Sequence, residues 1–172
     1  MESYEVTIGN TTYPVKCIEN LCGHSMQRYK IHAGKSVRIV KNDLTDVRMV
    51  EGEQYAIETF GSTGRGRTFE DVDCSHYMRK FNWDDAVPIR DNKAKGLLNT
   101  INREYGSLAF CRKWLEEHYP RHFMPLKKLV EIGAVKAYPP LSDIAGCYTA
   151  QYEHTILLRP TCKEIITRGE DY

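Results

Sequence analysis

Between about Pro88 and Val135 the apolar residues shift from the two-residue alternation of strands to the three-and-four spacing of helices; beyond Val135 they shift back. Leu97, Leu98, Ile101, Tyr105, Leu108 and Phe110, followed by Trp114 and Leu115, carry the helical period. Gly106-Ser107 reads as a stop followed by an N-cap, which divides the run into two helices. Pro125 is placed to open a third helix that ends near Gly133. Helices confined to one part of an antiparallel framework define an α+β chain.

The flanking segments read as strands. Tyr4–Ile8 and Tyr13–Ile18 alternate around a Gly9-Asn10 hairpin turn. A loop, Glu19–Ser25, leads to a strand-like run ending in His32-Ala33, and a further strand covers Val37–Val40. Lys41–Arg48 is polar and turn-like. Tyr55–Phe60 is a strong strand that runs into the glycine-rich Gly61–Gly66. Cys74-Ser-His-Tyr77 lies in the stretch before the helical block, Tyr138–Leu141 is extended, and Gly146–Pro160 and Cys162–Arg168 supply the last strands.

At 172 residues the chain suits one domain with a real core. A formal net charge of +1 provides no field to recruit nucleic acid or an anionic membrane. Six scattered cysteines without a CxxC pair fit free thiols in a reducing compartment. No stretch is apolar enough to span a bilayer and the N-terminus lacks a targeting layout, so a cytoplasmic protein is expected.

Gln151–Pro160 reads as a buried strand with a carboxylate in its middle. Alternation puts Gln151, Glu153 and Thr155 on one side, and Tyr152, His154 and Ile156 on the other. Glu58 shares its strand face with Ala56 and Phe60; an acid among apolar neighbours needs a cation or a proton. With His24 in a Gly-His-Ser turn, these acids make a donor set suited to Mn, Fe, Co or Zn. The commoner reading of such residues is a loop histidine and a salt-bridge partner. His32 and His76 follow strand-like runs, where a neutral imidazole can hold a carbonyl or move a proton. His118 and His122 read as solvated loop histidines.

Other motifs carry less. Ala33-Gly-Lys-Ser36 lacks the earlier glycine of a P-loop and precedes a strand, not a helix. Gly61–Gly66 could cradle phosphate, but a flexible turn suits it better. The helical block has a helix-turn-helix outline, yet acids interleave with its bases, so a solvated face is expected and no sequence-specific nucleic acid.

Gly23-His-Ser25, Tyr29–Lys35, Tyr55–Gly64, Cys74-Ser-His-Tyr77, Tyr138-Pro-Pro-Leu141, Tyr148–Pro160 and the tail from Arg159 to Tyr172 resemble the type 2 methionine aminopeptidases. The resemblance runs nearly end to end and is looser only in the helical block. It implies a pita-bread fold, here the C-terminal half: residues 1–172 as a partial metallopeptidase domain, with 88–135 as the helical insert typical of type 2 enzymes. It implies His24, Glu58 and Glu153 as metal ligands, with Glu58 also assisting deprotonation of water. His32 and His76 become substrate-side catalytic histidines, and Ile31, Phe60, Ala109 and Tyr138 line the methionine pocket.

Full-length members carry two further ligand aspartates and another histidine upstream, so this chain is expected to supply only part of a site for two divalent ions. It is also expected to expose sheet edges and an apolar face. The implied activity is removal of N-terminal methionine from nascent polypeptides with a small second residue. The implied protein is monomeric when intact, off the membrane, and able to work at the ribosome. The alternative is a catalytically inactive truncated relative acting as a protein- or RNA-binding module.

Overall fold

The computed structural model describes residues 1–41 and 47–170; most of the turn expected over Lys41–Arg48 lies outside the described residues. The strands are β1 (Glu5–Ile8), β2 (Thr11–Pro14), β3 (Lys16–Cys17), β4 (Cys22–Met26), β5 (Ser36–Arg38), β6 (Gln54–Ser62), β7 (Phe69–Glu70) and β8 (His76–Arg79). After helix α1 (Asn92–Glu104) come β9 (Ala109–Cys111), α2 (Arg112–His118) and α3 (Phe123–Glu131). The chain closes with β10 (Val135–Tyr138), β11 (Leu141–Ser142), β12 (Thr149–Leu158) and β13 (Lys163–Ile165). It divides into two compact units, Met1–Phe69 with Leu141–Tyr172, and Glu70–Pro140.

The first unit is built on β6. Its residues Tyr55 and Ala56 are each 1% exposed, and it pairs antiparallel with β12 over nine residues without a bulge. Its other edge is shared by β4 and, at the far end, β3; the sheet order is β13-β12-β6-β4-β5. The run Tyr13–Ile18 is therefore not one strand: β2 pairs back on β1 around Gly9-Asn10, whereas β3 crosses to β6. Cys22–Met26, expected as loop, is a strand. It packs so closely on β6 that a Cβ on Gly23 would lie 2.3 Å from the Ala56 carbonyl oxygen, which only glycine avoids. Tyr29–Ala33 is not strand-like either: Gln27 bridges Lys30 across a tight turn in which Tyr29 takes φ 59°. Lys35, from the Gly-Lys-Ser motif, ion-pairs with Glu53 and bonds the Arg48 carbonyl, and a strand follows it. That ion pair, with bonds from Tyr55 Oη and Val50 N, holds the Glu53 carboxyl at about 2.

The glycine-rich segment after β6 wraps an internal anion. Asp143, 5% exposed, accepts from Ser62 Oγ at 2.7 Å, from the backbone N–H of Gly66 at 2.9 Å and Arg65 at 3.0 Å, and from Ile144 N at 2.7 Å. Burial pushes that carboxyl up, but these donors together outweigh it and hold it at about 2. Alternation along β6 and β12 gives the sheet two different faces. On one, Val6, Ile8, Val15, Thr59, Ala150 and Tyr152 border an apolar concavity of about 500 Å³. The other carries the acids described below.

The second unit holds the helices. Asp91 caps α1 by accepting from Lys93 N and Ala94 N, and Ala94, Leu97, Leu98 and Ile101 face the core. Gly106, at φ 58°, closes the helix through its N–H to Ile101 O. The second helix does not begin at Ser107. Ala109–Cys111 pairs with β8, so fully buried Phe110 enters the core from a strand, and helix resumes only at Arg112. The third helix opens at Phe123, with Pro125 in its first turn, and Gly133 follows its end at φ 81°. His122 is 6% exposed, with Nδ1 3.0 Å from Tyr119 O; His118 is exposed as expected, but it closes α2 and does not lie in a loop.

No helix among the described residues is long and apolar enough to cross a membrane. The described cysteines are all free thiols.

Candidate metal centre

Register assembles the centre. Glu153 on β12 is the direct cross-strand partner of Glu58 on β6. His24 on β4 lies opposite Ala56, one diagonal step from Glu58. With side chains alternating along each strand, His24, Glu58, Phe60, Gln151 and Glu153 share one face. His24 Nε2 is 3.2 Å from Glu58 Oε1, and both side chains are 12% exposed. His24 Nδ1 lies 3.2 Å from the Ser25 carbonyl oxygen; when Nδ1 carries the only ring proton, Nε2 keeps a lone pair for a cation. The His32 ring lies against it, centroids 4.1 Å apart.

Gln151 Nε2 donates to Glu153 Oε2 at 3.1 Å and to Glu58 Oε2 at 3.4 Å. Burial pushes the Glu58 carboxyl up, and the facing Glu153 adds to this while His24 opposes it. Two carboxylates facing across a strand pair with a neutral amide between them carry charge that only a cation or proton removes. One imidazole nitrogen and two carboxylates match the donor preferences of Mn, Fe, Co or Zn. Among the described residues, however, no three His, Cys, Asp or Glu side chains draw close enough to form a finished ligand group. The face thus fits a divalent ion as part of a ligand set.

Two sequence expectations change here. His24 belongs to a strand, not a turn, because β6 provides the pairing that its own Gly-His-Ser context does not favour. The first half of β12, Glu153 included, is exposed; burial begins at His154. His154 lies on the opposite face, as alternation requires, with Nδ1 3.1 Å from Thr167 Oγ1. Ile31 is half-buried and His32 exposed in the first unit.

In the second unit, His76 pairs with Tyr138 on one side and with Cys111 on the other, and Met78 pairs with Ala109. His76, Ala109 and Tyr138 therefore share one face of the β10-β8-β9 sheet, while Tyr77, Phe110 and Val135 take the opposite face. Ser75 Oγ lies 2.8 Å from His76 Nδ1, and Lys136 Nζ stands 4.8 Å from the Tyr138 ring centroid. Two residues escaped sequence reasoning. The place of Gln151 two residues before Glu153 gives its face, but not the bridge it makes. Asp143 left no such signal, since Ser62 and Gly66 precede it by 81 and 77 residues.

No protein-family model matches the chain. Methionine aminopeptidase 2 of Puccinia graminis f. sp. tritici is 54% identical over 173 residues, spanning 100% of this chain and 38% of that protein. Methionine aminopeptidase 2 of Verticillium alfalfae and of Laccaria bicolor are each 55% identical, again over 100% of this chain, and are covered to 38% and 48%. Over its full length the chain is similar to the type 2 methionine aminopeptidases. It matches their C-terminal portion and spans less than half the length of these curated relatives. A solved structure, that of a thermophilic Arx1, superposes with a TM-score of 0.77 at 14% identity, over 92% of this chain and 42% of that one. That likeness concerns the fold, which is pita-bread-like and α+β as the type 2 aminopeptidase resemblance implied.

Proposed function

We propose that this chain is part of a metal-dependent aminopeptidase that removes the N-terminal methionine from nascent polypeptides whose second residue is small. One observation carries the reading: Glu58 and Glu153 oppose each other on the face where His24 Nε2 lies 3.2 Å from Glu58. His24, Glu58 and Glu153 would hold divalent metal, Mn, Fe, Co or Zn, within a two-ion set completed by groups beyond these three. Bound there, such ions supply Lewis acidity toward a peptide carbonyl and make water acidic enough to serve as nucleophile near neutral pH.

The remaining work falls to side chains. Glu58, its carboxyl pushed up by burial and by Glu153, is the group to take up a proton. His32, its ring tilted against that of His24, orients the peptide. His76, with Nδ1 engaged by Ser75, keeps Nε2 to bond a substrate oxygen as charge develops on it. Ile31, Phe60, Ala109 and Tyr138 accept the methionine side chain, whose flexible thioether suits mixed aliphatic and aromatic walls. The intact protein works as a cytoplasmic monomer on polypeptides emerging from the ribosome.

The test is methionine release from Met-Ala-Ser, by this chain and by a form extended to the length of its relatives, with each metal in turn. The extended form should release methionine only with metal, and Glu153→Gln should lower the rate about 100-fold or more. No release with any metal, or a rate indifferent to Glu153→Gln, counts against the proposal. A second reading, a non-catalytic protein- or RNA-binding module, is favoured by the exposure of Glu153. Release by the extended form excludes that alternative.

A further inference from the structure

We infer that Gln151 is a positioning residue of the candidate metal centre, an inference that rests on the metal-dependent reading above. The carboxamide holds the Oε2 atoms of Glu58 and Glu153 and so determines that the Oε1 atoms are offered to a cation.

Gln151 precedes Glu153 by two on β12 and lies across from Phe60, so its side chain emerges on the acids' face. Its Nε2 carries two hydrogens, enough for one bond to each carboxylate, and reaches Glu153 Oε2 at 3.1 Å and Glu58 Oε2 at 3.4 Å. Glu58 Oε1 is the atom beside His24 Nε2, at 3.2 Å. Gln151 thus holds Oε2 of Glu58 and leaves Oε1 turned toward His24 Nε2. A neutral donor does this without discharging the pair, so the negative field that attracts a cation persists. A lysine here would cancel that field, and an apolar residue would leave both carboxylates free to turn. Hydrogen bonds of this kind to ligand carboxylates are worth about 10–100-fold in metal affinity.

The test titrates Co²⁺ into the 172-residue chain, followed by calorimetry and by the visible absorption of the bound ion. Gln151→Met keeps the length of the side chain but cannot donate; Gln151→Ala is the second variant. Both should weaken Co²⁺ binding about 10–100-fold and alter the absorption band, with cation-free melting curves matching wild type. Unchanged affinity and spectrum in Gln151→Met overturn the positioning role while leaving the metal reading intact. Weaker binding with an unaltered band also overturns it, since a diffuse stability effect would do the same. A wild-type chain that binds no Co²⁺ also overturns the inference, since the pair held by Gln151 then offers nothing to a cation by itself; the metal reading is tested separately by methionine release from the extended form.

Discussion

His24 and the hydrogen bond from Gln151 favour an ionised Glu58, and the rest of its setting opposes them. Burial and the facing Glu153 both favour its neutral form, so ionising it at neutral pH works against the folded state. Without metal, Glu58→Gln is therefore expected to raise the melting temperature, by a stabilisation of about 1 kcal/mol or less. Thermal melts with chelator present read this directly, and a clear fall in Tm contradicts it. Gly23 makes the opposite case. A methyl group there would meet the Ala56 carbonyl at 2.3 Å, against backbone that cannot step aside. Gly23→Ala should cost about 2–3 kcal/mol in denaturant unfolding and displace His24 from Glu58. At this scale the sequence was informative wherever period alone decides the outcome: Gln151, Glu153 and Thr155 fall on one face of β12 as alternation requires. It was uninformative for β4, because Cys-Gly-His-Ser-Met has little strand preference and becomes a strand by pairing with β6.

Among the elements, the segment from Ser62 to Gly66 depends most on a distant residue. Asp143 ionises at about 2 in the fold against an ordinary value of 3.8, since the donors on it outweigh its burial. A depressed carboxyl stabilises the fold fully above its unfolded pKa, and that contribution fades as pH falls from about 3.8 through about 2. The loss is about 2 kcal/mol, and it should vanish from the acid limb of the stability profile in Asp143→Asn. A variant profile that parallels wild type between those pH values would contradict the assignment. The glycines here looked like a loose turn because their organising anion lies so far along the chain. The helical elements were more legible. Spacing located α1 and the end of α3, and failed at Leu108–Phe110, where strand pairing with β8 overrides an apolar pattern that a helix would also satisfy.

For the whole molecule, donor counting limits what the chain does by itself. Three candidate ligands, one of them exposed, cannot saturate two divalent ions that together take roughly ten bonds. Calorimetric titration of the chain with Mn²⁺ or Co²⁺ should therefore give at most one ion, bound weakly. Two tight ions per chain would mean that ligands other than His24, Glu58 and Glu153 have been overlooked. The α+β class, the antiparallel sheet and the pita-bread likeness were all legible beforehand, since they follow from where the apolar period switches and from long motifs. The cross-sheet bridge of Gln151 was not, because it is a matter of rotamers.

The opposition of Glu58 and Glu153 also sets where such a chain tolerates change in length. Residues between Glu70 and Pro140 form a unit of their own, so the sheet partners of β6 are chosen without reference to how many residues intervene. Insertions there leave the two acids facing each other. One residue added or removed between Thr149 and Glu153 would turn the second acid to the reverse side, beside the apolar hollow, with the backbone ladder still able to form.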